Sequence, residues 1–164
     1  YTILPIPNYK RLIAIEPEPN NMYFLKRNVQ EAGLLKNIEF IQCAVCDKTS
    51  TAKLYLGRHA GEHTLKSGYY EKYVVVKTIT LDELLKDEHS IDLVKVDVEG
   101  FEWQVLAGAK KIMPHVKSWM IELHDPNRKE ELANLMKSFN YQVKWIDDKH
   151  IFASRESNIK FSTI

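Results

Sequence analysis

Residues 91–102 read IDLVKVDVEGFE, and this stretch decides the fold class. Residues 91–96 predict a strand, and the spacing of apolar residues over 101–109 predicts a helix directly after it. Gly100 stands between the two, where glycine gives the backbone the freedom that a tight turn requires. A strand that turns directly into a helix is typical of α/β proteins with a parallel sheet.

Strands and helices alternate upstream of this stretch as well. Residues 11–15 form a nearly continuous apolar run, which predicts a strand buried on both faces of a parallel sheet. The spacing of apolar residues then predicts a helix that has Asn20 or Asn21 as its N-cap and Gly33 as its C-cap. Residues 38–43 predict the next strand, which completes a strand–helix–strand unit.

The alternation continues downstream with one interruption. Residues 118–123 predict another strand, residues 127–139 a helix, and residues 141–153 an antiparallel hairpin. Residues 51–81 break the rhythm, because two strand patterns flank a polar segment with three glycines. We therefore expect a single domain over 1–164, an α/β sheet that is mostly parallel, ends in an antiparallel hairpin and carries a strand–loop–strand insertion.

Charge and composition argue against several classes of function. The 23 basic and 22 acidic side chains give a net charge of +1, which provides no reason to expect a nucleic-acid or membrane-surface partner. No apolar run approaches the ~20 residues of a membrane-spanning helix. Cys43 and Cys46 are too few for a complete cysteine zinc site or a disulfide framework. We therefore expect a cytoplasmic protein without a metal.

Ligands of open parallel sheets bind beyond the carboxyl ends of the strands. Glu16 stands at such an end, directly after the strand at 11–15. An acidic side chain there can accept hydrogen bonds from both hydroxyls of a ribose. It can equally stabilise the start of the following helix, by ~0.3–1 kcal/mol. The spacing alone leaves both interpretations open.

Charged side chains crowd the end of the strand at 91–96. Strand alternation places Lys95 and Asp97 on one side, with Glu99 two residues further on. Crowded carboxylates can acquire a raised pKa and act as a general base. They can also be helix-start charges on a solvated turn, which the spacing by itself favours.

Three histidines are candidate functional groups. His124 follows the strand at 118–123 and could deprotonate a substrate hydroxyl or merely cap the next turn. His59 and His63 lie four residues apart in the order H-A-G-E-H, which is not the metalloprotease motif H-E-x-x-H. Gly61 between them also disfavours a helix that could hold a metal.

Several of these segments together resemble the FkbM family of methyltransferases. Residues 14–20, AIEPEPN, are similar to the family's second-strand motif, and residues 80–84, TLDEL, to a later element. Residues 91–102 match the most diagnostic segment, and residues 121–124, IELH, resemble the ending of the fifth strand. The similar segments occur in the family's order over nearly the whole chain.

The resemblance implies a Rossmann-like, class I methyltransferase fold that binds S-adenosylmethionine. It implies that Glu16 binds the ribose next to Pro17, and that the adenine lies near Cys43, Ala44 and Val45. Asp97 would face the cofactor, and Asp97, Glu99 and His124 would act on the methyl group and the acceptor. The implied reaction is O-methylation of a hydroxyl on a sugar or another natural product, so the expected partner is a small-molecule or glycan acceptor.

The family also has an acidic, glycine-rich loop after its first strand, which cradles the methionine part of the cofactor. The sequence opens instead at Tyr1-Thr2, which resembles the start of the helix that follows this loop. We expect that the first strand and the glycine-rich loop precede the residues given, rather than that the protein has lost them. We also expect poor cofactor binding by these 164 residues alone.

Three alternatives remain at the level of sequence. A nicotinamide-dependent oxidoreductase also uses an acidic residue at the second strand end. A non-catalytic binding module could keep the fold without the reaction. Metal-assisted O-methylation could use carboxylates among Asp97, Glu99 and Glu122, together with His124. The polar segment at 57–73 is expected to contact the acceptor.

Overall fold

The computed structural model describes residues 10–34, 36–59 and 61–156. The chain forms two compact units, Tyr1–Ile79 and Thr80–Ile164. The helix start expected at Tyr1-Thr2 lies outside the described residues, and the single domain stays a prediction. Within the described part of the chain, no helix combines the length and apolar character that a membrane span needs.

The first unit begins with the predicted strand–helix–strand motif. Strand β1 (Leu12–Ile15), helix α1 (Pro19–Glu31) and strand β2 (Ile38–Ile41) follow one another, and the two strands pair in parallel. The second strand is two residues shorter than predicted. Burial of β1 on both faces was wrong, because all four of its residues are only partly buried and β2 is its only partner among the described residues.

The start of α1 differs from the prediction. Glu18, and neither Asn20 nor Asn21, is the N-cap, and its buried carboxylate accepts a hydrogen bond of 2.7 Å from the Asn21 backbone N–H. Proline at the first helical position follows this cap at no cost, because that N–H has no partner inside a helix. Gly33 follows the last helical turn with φ 68°, a left-handed conformation that suits glycine.

A second sheet completes the first unit. It contains β3 (Ala44–Val45), β4 (Ser50–Tyr55) and β5 (Tyr73–Ile79), with β5 in the middle, parallel to β3 and antiparallel to β4. The predicted strands on either side of the glycine-containing segment are confirmed. Their core consists of buried Ala44, Leu54 and Val76, against which Leu65 and Val74 pack.

The described residues between β4 and β5, 56–59 and 61–72, form an organised loop. Its base is closed by two hydrogen bonds between the backbones of Tyr55 and Thr64, of 2.8 and 3.1 Å. Inside the loop, Glu62 Oε2 accepts a hydrogen bond from the Arg58 backbone N–H at 3.2 Å and another from the Tyr70 hydroxyl at 3.3 Å. We call this segment the 56–72 loop.

The second unit carries the diagnostic stretch. Its elements are α2 (Leu81–Leu84), β6 (Ile91–Val96), α3 (Glu102–Ala107), β7 (Val116–Glu122), α4 (Lys129–Ser138), β8 (Gln142–Trp145) and β9 (His150–Ser154). The strands form one sheet in the order β6-β7-β9-β8. The predicted strand, turn and helix at 91–109 are confirmed, although the helix begins one residue later and ends two residues earlier. The short helix α2 was not predicted.

The pairing of the strands departs from a mostly parallel sheet. Among the described residues, β1–β2, β3–β5 and β6–β7 pair in parallel, whereas β4–β5, β7–β9 and β8–β9 are antiparallel. The terminal hairpin is confirmed, but β9 inserts between β7 and β8 and pairs antiparallel with both. The α/β class therefore holds, with parallel and antiparallel pairs in equal number.

The core of the second unit contains a buried polar contact. The Tyr141 hydroxyl accepts a hydrogen bond of 3.0 Å from Trp119 Nε1 and lies 2.6 Å from the Met113 carbonyl oxygen. Trp119 is fully buried in β7, so its indole N–H requires this partner. The contact fixes the start of β8 against β7.

We predict that Gly57→Ala destabilises the 56–72 loop. A Cβ at position 57 would lie 2.5 Å from Glu62 Cβ and 2.6 Å from the Glu62 carbonyl oxygen, so the backbone must move. We expect a loss of about 1–3 kcal/mol in the free energy of unfolding, measured by chemical denaturation. Faster amide exchange at Tyr55 and Thr64 would locate the loss in the loop.

The matched control is Gly61→Ala, in the same loop. Apart from its two chain neighbours, no described residue has a heavy atom within 4 Å of a Cβ at position 61. We expect stability that is unchanged or higher by about 0.4–1 kcal/mol, because alanine restricts the unfolded chain. Equal effects of the two substitutions would contradict the role of the close contact at Gly57.

Candidate functional site

The carboxyl ends of β6 and β7 bring the predicted catalytic residues of the second unit together. The two strands run in parallel, with Val96 beside Ile121. Asp97 directly follows β6 and Glu122 is the last residue of β7, so both carboxylates stand at the same edge of the sheet. His124 follows β7 two residues later, and we call these residues with Glu99 and Glu102 the β6–β7 site.

A tight turn directs Glu99 toward the histidine. Glu99 and Gly100 have φ values of 49° and 95°, and the Phe101 N–H donates to the Val98 carbonyl across the turn at 3.3 Å. The left-handed conformation costs a non-glycine residue roughly 1–2 kcal/mol. In this conformation of the turn, Glu99 Oε2 lies 3.2 Å from His124 Nε2.

Glu102 holds the other side of the imidazole. Its carboxylate is only 2% exposed, and Oε1 lies 2.8 Å from His124 Nδ1. Glu102 belongs to the 91–102 stretch but was not predicted as a site residue. A detectable signal existed, because positions 102, 105 and 106 fall on the buried face of α3, where a glutamate is unusual.

The carboxylates and the histidine change one another's pKa. The hydrogen bond with Glu102 is the main cause that raises the pKa of His124, and the charges of Glu99 and Glu122 raise it further, against the opposing effect of burial. Burial is the main cause that raises the pKa of Glu99, and the charges of Asp97 and Glu122 act in the same direction.

Asp97 lies at the open side of the site. Lys95 Nζ is 3.1 Å from Asp97 Oδ2, so the expectation that strand alternation places them on one side is confirmed. The Asp97 side chain is 36% exposed, which leaves it accessible to a ligand. Its roles toward the cofactor and in catalysis stay predictions.

Two residues of the terminal hairpin extend the site and were missed in the sequence. His150 Nε2 lies 3.2 Å from Glu122 Oε2, and His150 Nδ1 lies 2.8 Å from Asp147 Oδ2. Hydrogen bonds from the backbone N–H groups of Lys149 and His150 lower the pKa of Asp147 to about 2. The only signal was the hairpin turn itself, which does not indicate that β9 pairs with β7.

The same edge of the sheet could hold a cation. Asp97, Glu122 and His124 each offer one ligand atom, and these atoms lie within 4.8 Å of one another. Carboxylate oxygens with one imidazole nitrogen suit Mg²⁺, Mn²⁺ or Zn²⁺. The expected absence of a metal and the alternative of metal-assisted transfer both stay predictions.

Apart from Asp97, the predicted cofactor residues lie in the first unit, after β1 and after β2. Glu16 is half-buried, and its Oε1 accepts a hydrogen bond of 2.8 Å from the Glu18 backbone N–H. Its own N–H donates to the Ile41 carbonyl oxygen at 3.2 Å, which holds the two strand ends together. Pro17 between the two glutamates is also half-buried. The binding of a ribose by Glu16 stays a prediction.

The side chains of residues 43–45, which follow β2, are buried or partly buried. Cys43 and Ala44 are buried, and Val45 is partly buried in the short strand β3. Burial raises the pKa of the Cys43 and Cys46 thiols, and the two cysteines are not joined in a disulfide. Both observations fit packing residues, and contact of this segment with an adenine stays a prediction.

The histidines of the 56–72 loop have structural roles in the described part of the chain. His63 Nδ1 accepts a hydrogen bond of 3.1 Å from the Gly57 backbone N–H. The backbone N–H of His59 lies 3.4 Å from Glu62 Oε2. These contacts stabilise the loop.

Comparison with known proteins identifies one family. The family model of the methyltransferase FkbM domain matches residues 6–143. A crystal structure of methyltransferase FkbM from Methylobacillus flagellatus KT is similar to this chain, with a TM-score of 0.62 and 19% sequence identity. The similarity covers 90% of this chain and 37% of the other, so the chain spans about a third of that protein. No curated protein gives a match.

We predict that His124 makes the free energy of unfolding depend on pH. Because the folded state raises its pKa above the ordinary 6.5, His124 contributes stability that is fully present below 6.5 and lost as the pH rises through the folded value. Denaturant titrations across neutral pH should show this decline in the wild type and a smaller one in His124→Gln. Parallel curves for the two proteins would contradict the prediction.

Proposed function

This chain belongs to the FkbM methyltransferase family, and we propose that it transfers the methyl group of S-adenosylmethionine to a hydroxyl oxygen of a small-molecule or glycan acceptor. One observation carries the oxygen specificity: His124 lies with Glu99 and Glu102 at the carboxyl ends of parallel strands, where it can accept a hydroxyl proton. We extend the proposal to a Rossmann-like, class I methyltransferase fold.

The residues at the ends of β1 and β2 fit the donor. A ribose offers two adjacent hydroxyl donors, and a carboxylate at a strand end can accept both. The 2.8 Å hydrogen bond from the Glu18 N–H orients the Glu16 carboxylate before any ligand arrives. We assign Glu16 and Pro17 to the ribose, and Cys43, Ala44 and Val45 to the adenine through their backbone and small side chains.

The β6–β7 site fits the transfer. When bound, S-adenosylmethionine would supply an electrophilic methyl group, and the electron pair of the C–S bond would remain with its sulfur. His124 accepts the proton that the acceptor hydroxyl loses as its oxygen forms the new C–O bond. Glu99, 3.2 Å from Nε2, stabilises the resulting imidazolium. A positioned base contributes about 10²–10⁴-fold to the rate, and alignment of the reactants can contribute more.

The 56–72 loop and the outer face of β5 fit a sugar or another ring-containing acceptor. Tyr69 and Tyr73 are 62% and 46% exposed, and Lys66 and Lys53 lie over their rings at 5.3 and 4.2 Å from the centroids. Exposed aromatic rings with neighbouring donors can stack against a sugar ring. We propose this surface for the acceptor, with no nucleic-acid or membrane partner, in a cytoplasmic protein.

We predict that the full-length protein binds S-adenosylhomocysteine and that Glu16→Ala weakens this binding. Loss of a charge-assisted hydrogen bond should cost about 1.5–3 kcal/mol, roughly tenfold to a hundredfold in Kd, measured by calorimetry. Glu16→Gln removes the charge but keeps an acceptor for the Glu18 N–H. It therefore shows how much of the loss in Glu16→Ala comes from the charge and how much from the broken hydrogen bond.

Glu31→Ala is the control for the titration, because Glu31 is an exposed glutamate of the neighbouring helix that pairs with Arg27. It should bind like the wild type. Nicotinamide dinucleotides are titrated in parallel. If they bind more tightly than S-adenosylhomocysteine, the result would favour an oxidoreductase over a methyltransferase. Binding of neither ligand would favour a non-catalytic module.

We predict that His124→Gln lowers kcat for transfer of a labelled methyl group by about 10²–10⁴-fold. An acceptor panel of sugars and polyhydroxylated natural products supplies the substrate. Glu130→Gln, an exposed first-turn glutamate of α4, should leave the rate unchanged. Full activity of His124→Gln would reject this base, and loss of wild-type activity in a chelator would show metal assistance.

A further inference from the structure

Glu102 is a charged residue on an apolar helix face. Val105 and Leu106 of the same face of α3 are each 2% exposed, and Glu102 is buried to the same degree. A carboxylate removed from water is stable only when hydrogen bonds replace the lost solvation. The partners of this carboxylate therefore indicate what its position requires.

In the described part of the chain, one carboxylate oxygen of Glu102 makes both of its side-chain hydrogen bonds. Oε1 accepts from the Gly100 backbone N–H at 2.8 Å and lies 2.8 Å from His124 Nδ1. Where the carboxylate oxygen accepts this second bond, the imidazole carries its proton on Nδ1. The Gly100 N–H fixes this oxygen in place because it belongs to the backbone turn after β6.

The opposite nitrogen of the imidazole faces competing acceptors. His124 Nε2 lies 3.2 Å from Glu99 Oε2 and 3.8 Å from Glu122 Oε1, and either carboxylate favours a proton on Nε2. A neutral imidazole has only one N–H proton. The contact with Glu102 is shorter and far more buried than the contact with Glu99, whose side chain is 33% exposed. The Nδ1–H tautomer therefore prevails in the neutral ring.

We infer that Glu102 is a positioning residue that fixes neutral His124 as its Nδ1–H tautomer, so that the unprotonated Nε2 is presented at the carboxyl ends of β6 and β7. The inference rests on the proposed function for its consequence: only this tautomer can accept a hydroxyl proton through Nε2. Without Glu102, the carboxylates at Nε2 would hold the proton there and leave no base. A buried carboxylate that orients a histidine base has the same role in catalytic triads.

The test reads the tautomer directly in the full-length protein. Nitrogen NMR of ¹⁵N-histidine distinguishes protonated from unprotonated ring nitrogens, and the signals of His124 are assigned by their absence in His124→Gln. At a pH where the ring is neutral, we expect the Nδ1–H tautomer in the wild type. We expect a shift toward the Nε2–H tautomer in Glu102→Leu, which removes the acceptor at Nδ1.

Glu102→Gln keeps the inference testable if the leucine variant does not fold. Its amide oxygen can accept from both the Gly100 N–H and His124 Nδ1–H, so the Nδ1–H tautomer should persist. Glu130→Gln is the matched control and should leave the His124 signals unchanged. A wild-type Nε2–H tautomer, or an unaltered tautomer in folded Glu102→Leu, would overturn the inference.

Kinetics separate positioning from a purely structural role. In Glu102→Leu we expect kcat to fall by about 10²–10⁴-fold, with the KM for the acceptor and the affinity for S-adenosylhomocysteine near those of the wild type. Glu102→Gln should recover most of this loss. Glu102→Leu with a normal kcat would overturn the catalytic consequence. A wild type that transfers no methyl group rejects the proposed function, whereas the tautomer measurement still decides the inference.

Discussion

The buried carboxylate of Glu102 joins the turn after β6 to the residues after β7, and the geometry of the β6–β7 site depends on this contact. One oxygen holds both the Gly100 N–H and His124 Nδ1. The turn at Glu99 is strained, since a glutamate adopts φ 49° there. Two fixed hydrogen bonds in a buried environment offset this strain and keep Glu99 and His124 in contact.

Carboxylates that accept backbone hydrogen bonds recur throughout the chain. Glu18 caps α1, Glu62 holds the 56–72 loop, and Asp82 accepts from two N–H groups after α3, at Lys111 and Ile112. Each carboxylate satisfies N–H groups that turns and helix ends leave without partners. These acidic side chains therefore have structural roles away from the β6–β7 site.

The order of strands and helices could be predicted from local patterns. Apolar runs and helical spacing located β1, α1, β5, β6 and the terminal hairpin to within a few residues, because these patterns arise from neighbouring side chains. Two of the local predictions were wrong. The N-cap of α1 is Glu18 and not Asn20 or Asn21, because the Glu18 carboxylate accepts a hydrogen bond from the Asn21 N–H. Strand β1 is less buried than its apolar run suggested.

By itself, the sequence determined the α/β class, the resemblance to a methyltransferase family, and Asp97, Glu99 and His124 as a group at strand ends. Periodicity and motif order carry this information along the chain. Only the tertiary structure decided that Glu102 contacts His124 across 22 positions and that His150 reaches Glu122. Such contacts depend on the register between strands and on which helix face is buried, and neither is written in the local order of residues.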